Sequence, residues 1–289
     1  MIHKINNSNI YISVDSFGAE LRSVCDVHGE EYLLQDRSCW GAQAPILFPI
    51  VGKPKDGKYK IEGKTYEIGN HGFARECNFK VLEKRSDAIS FSLRESAETL
   101  EKYPFKFELQ VSFELEGESL CQRFKVKNLD EKPMPFALGG HPGFIVPREE
   151  DEKYEDYVIK FDMIENCDSC ILEANLTSEP PRRIPVLDNT DTFRLDREIF
   201  KNGVLILEKL KSRGLEFYST ISGKGIRIDF DSFDNLGLWS WGGKDYICIE
   251  PWSSPGTYCD PSGELSKRKG MRTLKPNEIA EYSYKITII

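Results

Sequence analysis

Two features that proteins use to meet lipid or nucleic acid are missing from this sequence: a long apolar run and an excess of positive charge. The most apolar stretch, APILFPIVG (44–52), is too short to span a bilayer and is broken by Pro49. The first residues, MIHKINNSNIYISV, lack the apolar core and cleavage site of a signal peptide. The net charge of −8 argues against nucleic acid or an anionic membrane as the main partner, although a local basic pocket for a small anion stays compatible with it. We therefore expect a soluble, cytoplasmic protein.

Several catalytic signatures are also missing. The sequence has no G-x-S-x-G, no P-loop, no G-x-G-x-x-G opening a helix and no H-E-x-x-H. Its eight cysteines are scattered, at positions 25, 39, 77, 121, 167, 170, 248 and 259. Cys167 and Cys170 form a lone C-x-x-C without a second pair or a nearby histidine, which we interpret as two thiols in a loop rather than a zinc or redox site. In a reducing compartment most of the thiols should be free.

Strand patterns dominate the chain. FKFELQVSFEL (105–115) alternates apolar and polar residues without a break, and residues 120–127 repeat the alternation after a short loop, which predicts an antiparallel hairpin. Residues 57–68 predict a smaller hairpin that turns at Glu62-Gly63, and residues 224–230 and 282–289 alternate in the same way. One helix is predicted, over 94–103, where Pro104 ends it.

These alternating patterns predict an all-β protein: one large antiparallel β-sandwich with few short helices, in a single domain over 1–289. The acidic run REEDEKYED (148–156) and the pair Pro180-Pro181 are interpreted as solvent-exposed loops. Long loops on a rigid sheet are the usual place for a functional site.

Four histidines are available for chemistry, and two of them stand out. His3 lies near the terminus and His28 in a predicted turn, so both are given structural roles. His71 in GNHGFAR (69–75) and His141 in GGHPGF (139–144) each follow strand-like sequence and are flanked by glycine. Glycine neighbours let backbone and side chain approach a ligand closely. Two histidines in such similar settings favour a site.

Glu250 is the carboxylate that differs from the many other acidic residues. It follows the apolar run YICI and precedes Pro251 and Trp252, which predicts a position at the end of a buried strand. The alternative is a structural carboxylate satisfied by backbone donors at a bend. Two histidines and a glutamate could bind zinc, but the local ligand spacing is missing; they also suit proton transfer between neutral groups.

Three stretches in chain order, GNHGFAR, GGHPGF and ICIEPW (247–252), resemble the aldose 1-epimerase (galactose mutarotase) superfamily, and most closely its LacX-type bacterial branch. Supporting stretches cover nearly the whole chain: GAELRSV (18–24), PILFPIVG (45–52), DGKYKIEGK (56–64) and LGLWSW (236–241). The resemblance implies a galactose mutarotase-like supersandwich that binds a sugar and interconverts its α and β anomers. It implies no cofactor and no metal.

The resemblance also assigns roles. Glu250 matches the general base that takes the proton of the C1 hydroxyl, and His141 the general acid that protonates the ring oxygen. His71 matches a histidine that hydrogen-bonds the sugar. Further candidate substrate-binding residues are Lys53, Asn70, Arg75 and Trp239.

Some expected features are altered or unassigned. Relatives usually carry arginine where this chain has Lys53, which lacks the planar guanidinium fork. The sugar-gripping aspartate of better studied mutarotases has no clear match among the three candidates Asp188, Asp191 and Asp196. Trp241 and Trp252 are further candidates for a sugar face, although we expect core packing for at least two of the three tryptophans Trp239, Trp241 and Trp252.

Three functions fit these residues. The first is a mutarotase for a free aldohexose such as galactose or glucose, and the second an epimerase for a hexose 6-phosphate, with Lys53 and Arg75 near the phosphate. The third is a non-catalytic sugar-binding protein on the same fold. The partner in each case is a small sugar, and the protein is expected to be a monomer or a homodimer.

Overall fold

The computed structural model describes residues 1–173, 176–177, 182–256 and 262–289. Within these ranges the chain is built almost wholly of strands. In chain order they are β1 (Ile2–Asn6), β2 (Ile10–Asp15), β3 (Glu20–Asp26), β4 (Ile46–Leu47), β5 (Lys58–Ile61), β6 (Lys64–Glu67), β7 (Lys80–Lys84), β8 (Ala88–Arg94), β9 (Phe107–Glu116), β10 (Ser119–Asn128), β11 (Met134–Phe136), β12 (Gly139–Gly140), β13 (Gly143–Ile145), β14 (Tyr157–Cys170), β15 (Leu172–Glu173), β16 (Leu176–Thr177), β17 (Arg183–Arg194), β18 (Leu205–Glu208), β19 (Gly214–Ser219), β20 (Gly225–Asp229), β21 (Asn235–Trp239), β22 (Tyr246–Trp252), β23 (Arg272–Leu274) and β24 (Ile279–Ile288).

Helix is confined to short segments. The α-helix α1 (Ala97–Lys102) begins after Ser96, whose hydroxyl accepts the N–H of Thr99, while the Thr99 hydroxyl accepts the N–H of Ser96. This reciprocal cap and the proline at 104 set the two ends of the helix, so the predicted helix is confirmed with narrower bounds. Six 3₁₀ segments complete the helical content of the described residues: Lys55–Gly57, Ala74–Glu76, Tyr154–Asp156, Arg197–Asn202, Trp241–Gly243 and Leu265–Lys267.

Two large sheets form the body of the protein. A nine-stranded sheet has the order β17-β14-β19-β20-β24-β10-β9-β8-β7, and a six-stranded sheet has the order β18-β21-β22-β12-β4, with β13 also paired to β22. Small sheets are formed by β1-β2-β3, β5-β6, β11-β23 and β15-β16. Every pairing between these strands is antiparallel within the described ranges, so the predicted fold class, a large antiparallel β-sandwich, is confirmed.

The predicted hairpins are present. β9 and β10 pair along their whole length, and the apolar residues of β9 all face the core while their polar neighbours are partly exposed. β5 and β6 turn at Glu62-Gly63, both with positive φ (51° and 78°), as a two-residue hairpin turn requires. β20 and β24 correspond to the two remaining alternating stretches.

The core joins the two large sheets. Phe48, which follows β4, packs against Phe107 of β9 with ring centroids 5.1 Å apart. Both rings are fully buried, and a buried phenylalanine contributes about 1.5–3 kcal/mol relative to an exposed one. This contact joins one edge of the six-stranded sheet to the nine-stranded sheet.

Two loop predictions need correction. Cys167 and Cys170 lie on strand β14 and are buried, so neither belongs to a loop. The acidic run 148–156 is only partly solvated, because Glu152 and Tyr154 are buried within it. Pro180-Pro181 and the cysteine at 259 lie outside the described residues. The single-domain organisation stays a prediction. Among the described helices, none has the length and apolar character needed to cross a membrane.

Candidate active site

Glu250 lies inside strand β22 rather than at its end. The strand continues through Pro251 to Trp252, and Glu250 is paired with Gly237 of β21. The expected strand end is therefore wrong, although the predicted burial is right: Glu250 is 1% exposed. Since alternate residues of a strand share a face, Glu250 and Trp252 point to the same side of the sheet.

An interruption in the neighbouring strand explains why proline is tolerated there. Ile249 and Ser253 donate their N–H groups to carbonyls of the segment that contains β12 and β13. Pro251 lies between them on the same edge and has no N–H to donate, and β12 ends at this point. Gly139 is opposite Trp252 and Gly143 is opposite Cys248, so the same register places His141 opposite Glu250.

The two side chains meet directly. His141 Nε2 lies 3.1 Å from Glu250 Oε2, although the two are not aligned as a hydrogen bond. The imidazole of His141 stacks on Trp40, with centroids 4.8 Å apart and planes at 28°, and meets Trp239 edge-on at 5.7 Å. His141 is 6% exposed, so its ring is enclosed by aromatic side chains next to a buried carboxyl group.

His71 is the third member of this group. It follows the small hairpin with a positive φ of 65°, donates its N–H to Gly52 O and accepts the Gly52 N–H at Nδ1 (3.1 Å). Because Nδ1 is an acceptor, the neutral ring carries its proton on Nε2. The ring lies 5.6 Å from that of His141. The next residue must be glycine, since a Cβ on Gly72 would stand 2.2 Å from the carbonyl oxygen of Phe48.

Burial favours the neutral form of all three groups. It raises the pKa of Glu250 well above its ordinary value, and the nearby Trp252 indole opposes this rise only in part. Burial, then the neighbouring His71 and Arg75, lowers the pKa of His141 well below the usual value. Burial and the charge of Arg75 lower the pKa of His71 to about 3. Such opposed shifts in one cluster are typical of functional sites.

These side chains line one cavity of about 500 Å³, a volume suited to a small-molecule ligand. Every candidate site residue from the sequence lines it: Lys53, Asn70, His71, Arg75, His141, Trp239 and Glu250. The remaining lining residues are Trp40, Gly52, Leu172, Asn202, Gly203, Val204, Trp241 and Trp252.

All four tryptophans of the chain therefore contribute to this wall. The expectation of core packing for at least two of Trp239, Trp241 and Trp252 is confirmed, because Trp252 belongs to a buried cluster and Trp239 packs against another; both nevertheless line the cavity. Trp252 alone is buried, at 2% exposed, and it still faces the cavity. Its indole fits because position 139 is glycine, where a Cβ would stand 2.6 Å from the ring. Trp241 is 64% exposed at the cavity's edge.

The charges of the lining are unequal. Lys53 and Arg75 are its cations, and Glu250 is its one carboxylate among the residues whose side chains are described. None of the three candidate aspartates lines the cavity: Asp188 and Asp191 lie on β17, and Asp196 accepts the N–H of Glu198 at the start of a 3₁₀ segment.

Sequence reasoning missed Trp40 and Asn202. Trp40 lies in the loop between β3 and β4, and Asn202 ends the 3₁₀ segment that begins at Arg197. Neither stands in a periodic pattern. The one indication for Trp40 was the scarcity of tryptophan in the chain.

One further residue, Cys248, lies close to the acid–base pair. It is two positions before Glu250 on β22, is buried, and packs in one cluster with Leu34 and Tyr246. One ligand atom from each of His141, Cys248 and Glu250 lies within 4.8 Å of the others, so these three could hold a metal ion.

Comparison with known proteins yields consistent matches. The family model described as aldose 1-epimerase matches residues 1–287. Two curated proteins from Lactococcus lactis subsp. lactis, the chromosomal and plasmid LacX proteins, are each 36% identical over the full length of both chains. A galactose mutarotase related enzyme from Lactobacillus acidophilus superposes with a TM-score of 0.92 at 32% identity, covering 100% of this chain and 97% of that one. A galactose mutarotase-like protein from Lactobacillus casei gives 0.91 at 28% identity, with both chains fully covered.

Proposed function

The chain belongs to the aldose 1-epimerase family, and from this premise we propose that it interconverts the α and β anomers of an aldohexose. One observation carries the proposal: His141 Nε2 and Glu250 Oε2 lie 3.1 Å apart in a cavity of about 500 Å³. The hydroxyl and ring oxygens of a cyclic sugar are bonded to the same carbon, C1. A base for one and an acid for the other must therefore be neighbours, as these two groups are.

The reaction needs two proton transfers and no nucleophile. Ionised Glu250 takes the proton of the C1 hydroxyl while protonated His141 gives its proton to the ring oxygen, and the bond between C1 and that oxygen breaks. Rotation about C1–C2 turns the aldehyde, and the two transfers reverse on its other face. Each positioned acid or base contributes roughly 10²–10⁴-fold to the rate.

The pair needs a single transferable proton for this cycle. Burial favours that proton on Glu250, with His141 neutral. Once a side-chain rotation aligns this 3.1 Å contact as a hydrogen bond, the proton can pass to His141 and leave the reactive ion pair, without a change in total charge. Ring opening then returns both residues to their neutral forms, so burial favours the open-chain product state over the ion pair.

The other lining residues suit sugar binding. His71 presents its Nε2–H as a fixed neutral donor, since the Gly52 N–H occupies Nδ1. Asn70, Arg75 and Lys53 supply hydrogen-bond donors for hydroxyl groups, and Trp239 offers an apolar face for C–H groups.

Anomer relaxation tests the proposal directly. Freshly dissolved α-glucose or α-galactose should reach equilibrium faster with the wild-type protein, as followed by polarimetry or NMR. A double variant, His141→Asn with Glu250→Gln, should not exceed the uncatalysed rate. Equal rates for the two proteins refute the proposal, and saturable sugar binding without acceleration would identify a sugar-binding protein instead.

A second candidate substrate is a hexose 6-phosphate. The observation in its favour is the pair of cations in the lining, Lys53 and Arg75, against one buried carboxyl group whose pKa is raised by burial. A phosphate group would complement this excess of positive charge. Comparing kcat/KM for glucose and glucose 6-phosphate, in the wild type and in Lys53→Met, decides between the substrates: a phosphate preference that Lys53→Met abolishes supports the second.

A further inference from the structure

A thiol lies beside the proposed acid–base pair and has no part in the proposed reaction. Cys248 and Glu250 are separated by one residue on β22, so their side chains share a face of the strand. The break between β12 and β13 adds the imidazole of His141. The three ligand atoms lie within 4.8 Å of one another, and Glu250 Oε2 is buried without an aligned donor.

Thiolate, imidazole and carboxylate are a ligand set that zinc accepts, in tetrahedral geometry with a fourth position open to water. Zinc–ligand bonds of about 2.0–2.3 Å place tetrahedral ligand atoms roughly 3.5 Å apart, so small side-chain movements bring these three into range. The cavity lies on the open side of Glu250 and His141 and leaves room for the water ligand.

We propose that His141, Cys248 and Glu250 form an inhibitory binding site for a soft divalent metal ion such as Zn²⁺. On binding, the Cys248 thiol and any protonated Glu250 release their protons to solvent, and the ion takes the lone pairs of sulfur, nitrogen and oxygen. Metal binding itself is independent of the proposed function. The inhibition rests on the proposed function, because the ion would bind both the proposed acid and the proposed base.

The surroundings distinguish this site from a resident metal centre. A histidine that holds a permanent metal normally donates its second ring N–H to a partner, whereas His141 Nδ1 is buried without a hydrogen-bond partner. Arg75 and Lys53 also place positive charge on the same cavity. Both features lower the affinity for a metal ion. A moderate affinity is enough for reversible inhibition, whereas a resident metal centre requires tight binding.

Cobalt spectroscopy tests the binding site without reference to activity. The metal-free protein titrated with Co²⁺ should develop the intense visible bands of a tetrahedral ion and a near-ultraviolet thiolate-to-cobalt band, both removed by Zn²⁺. Cys248→Ala should lose the thiolate band. Cys39→Ala is the matched control, because Cys39 is a nearby thiol that contacts the carboxylate of Asp36 at 3.4 Å, and it should keep the band.

The kinetic arm uses the same proteins. Zn²⁺ should slow anomer interconversion in the wild type and in Cys39→Ala. In Cys248→Ala, half-inhibition should need at least about tenfold more zinc. Removing a residue that only hydrogen-bonds to a metal ligand already lowers metal affinity about tenfold or more, and removing a ligand should cost at least as much. A thiolate band that persists in Cys248→Ala, or no tetrahedral cobalt spectrum in the wild type, overturns the proposal. An inactive wild-type protein would refute the proposed function, while the cobalt titration would still decide the metal site.

Discussion

Two buried glutamates, Glu152 and Glu250, show how differently this fold treats the same side chain. Glu152 is 5% exposed and Glu250 is 1% exposed. The Glu152 carboxylate accepts hydrogen bonds from the hydroxyls of Ser219 and Tyr157, whereas Glu250 Oε2 has no aligned donor and lies against His141.

The consequence appears in their acidity. Burial alone would raise the pKa of Glu152, but the hydroxyl donors of Ser219 and Tyr157 outweigh it, and the pKa is lowered. At Glu250 burial prevails and the pKa is raised. Burial of a carboxylate is therefore not enough to identify a site; missing donors next to a cavity separate a reactive group from a structural one.

The largest expected effect separates the two residues by activity. Glu250→Gln keeps the shape of the side chain but removes its ability to accept a proton, so kcat/KM should fall by about 10²–10⁴-fold. Glu152→Gln should keep the wild-type kcat/KM, because Glu152 is not among the residues that line the cavity. Anomer relaxation measured by NMR for both variants checks this. A wild-type rate for Glu250→Gln would remove the basis of the comparison.

The second effect is on the free energy of unfolding, which substitution of Glu250 and substitution of Glu152 should change in opposite directions. The raised pKa of Glu250 means that its contribution to stability is present below pH 4.5 and is lost as the pH rises, because the unfolded state ionises first. Glu250→Gln should therefore stabilise the protein at neutral pH by on the order of 1 kcal/mol, with a gain that vanishes near pH 4.5.

Glu152→Gln should do the reverse. The lowered pKa of Glu152 contributes stability above pH 4.5 that is lost as the pH falls, so the variant should cost about 1–3 kcal/mol at neutral pH and less in acid. Urea unfolding of the wild type and both variants at pH 4.5 and pH 7.5 measures the change in unfolding free energy for each variant at each pH. Destabilisation of the protein by Glu250→Gln at pH 7.5 would show that the Glu250 carboxylate, like that of Glu152, is stabilised by its surroundings.

The smallest effect concerns the pH profile of the reaction. Catalysis needs one proton on the His141–Glu250 pair, and activity is lost in acid when a second proton binds to His141. Because burial, His71 and Arg75 lower the pKa of His141, the acid limb of kcat/KM should lie below pH 6.5. Initial rates between pH 4 and pH 9 test this, and an acid limb at or above 6.5 would show that the imidazole is not held neutral.

Much of the fold was predictable because period-two alternation is a local property. β9, β10 and the hairpin at Glu62-Gly63 each carry their own pattern or turn residues. Cys167 and Cys170 were misplaced because strand β14 is irregular, with register shifts against β17 that break its alternation. Glu152 was misread because a charged run normally stays in water, and nothing in the run shows the hydroxyls that satisfy it.

The candidate site also combines features that local sequence predicts with features that depend on tertiary structure. His71 and His141 stand in glycine-rich stretches and Glu250 stands between an apolar run and Pro251, so all three could be found from sequence. Their 3.1 Å contact and the continuation of β22 past Pro251 depend on pairing between distant segments. Trp40 comes from a loop without periodicity, and its contact with His141 is set by tertiary packing alone.

The concentration of every indole around one cavity gives the protein a built-in optical reporter. Emission at tryptophan-selective excitation arises from the lining residues alone, and the ring of Trp241 at the edge is open to water. A sugar that displaces this water, or a metal ion beside His141 and its stacked neighbour Trp40, would change the intensity or colour of that emission. Ligand affinity is therefore measurable on the unlabelled protein even in variants that no longer turn over.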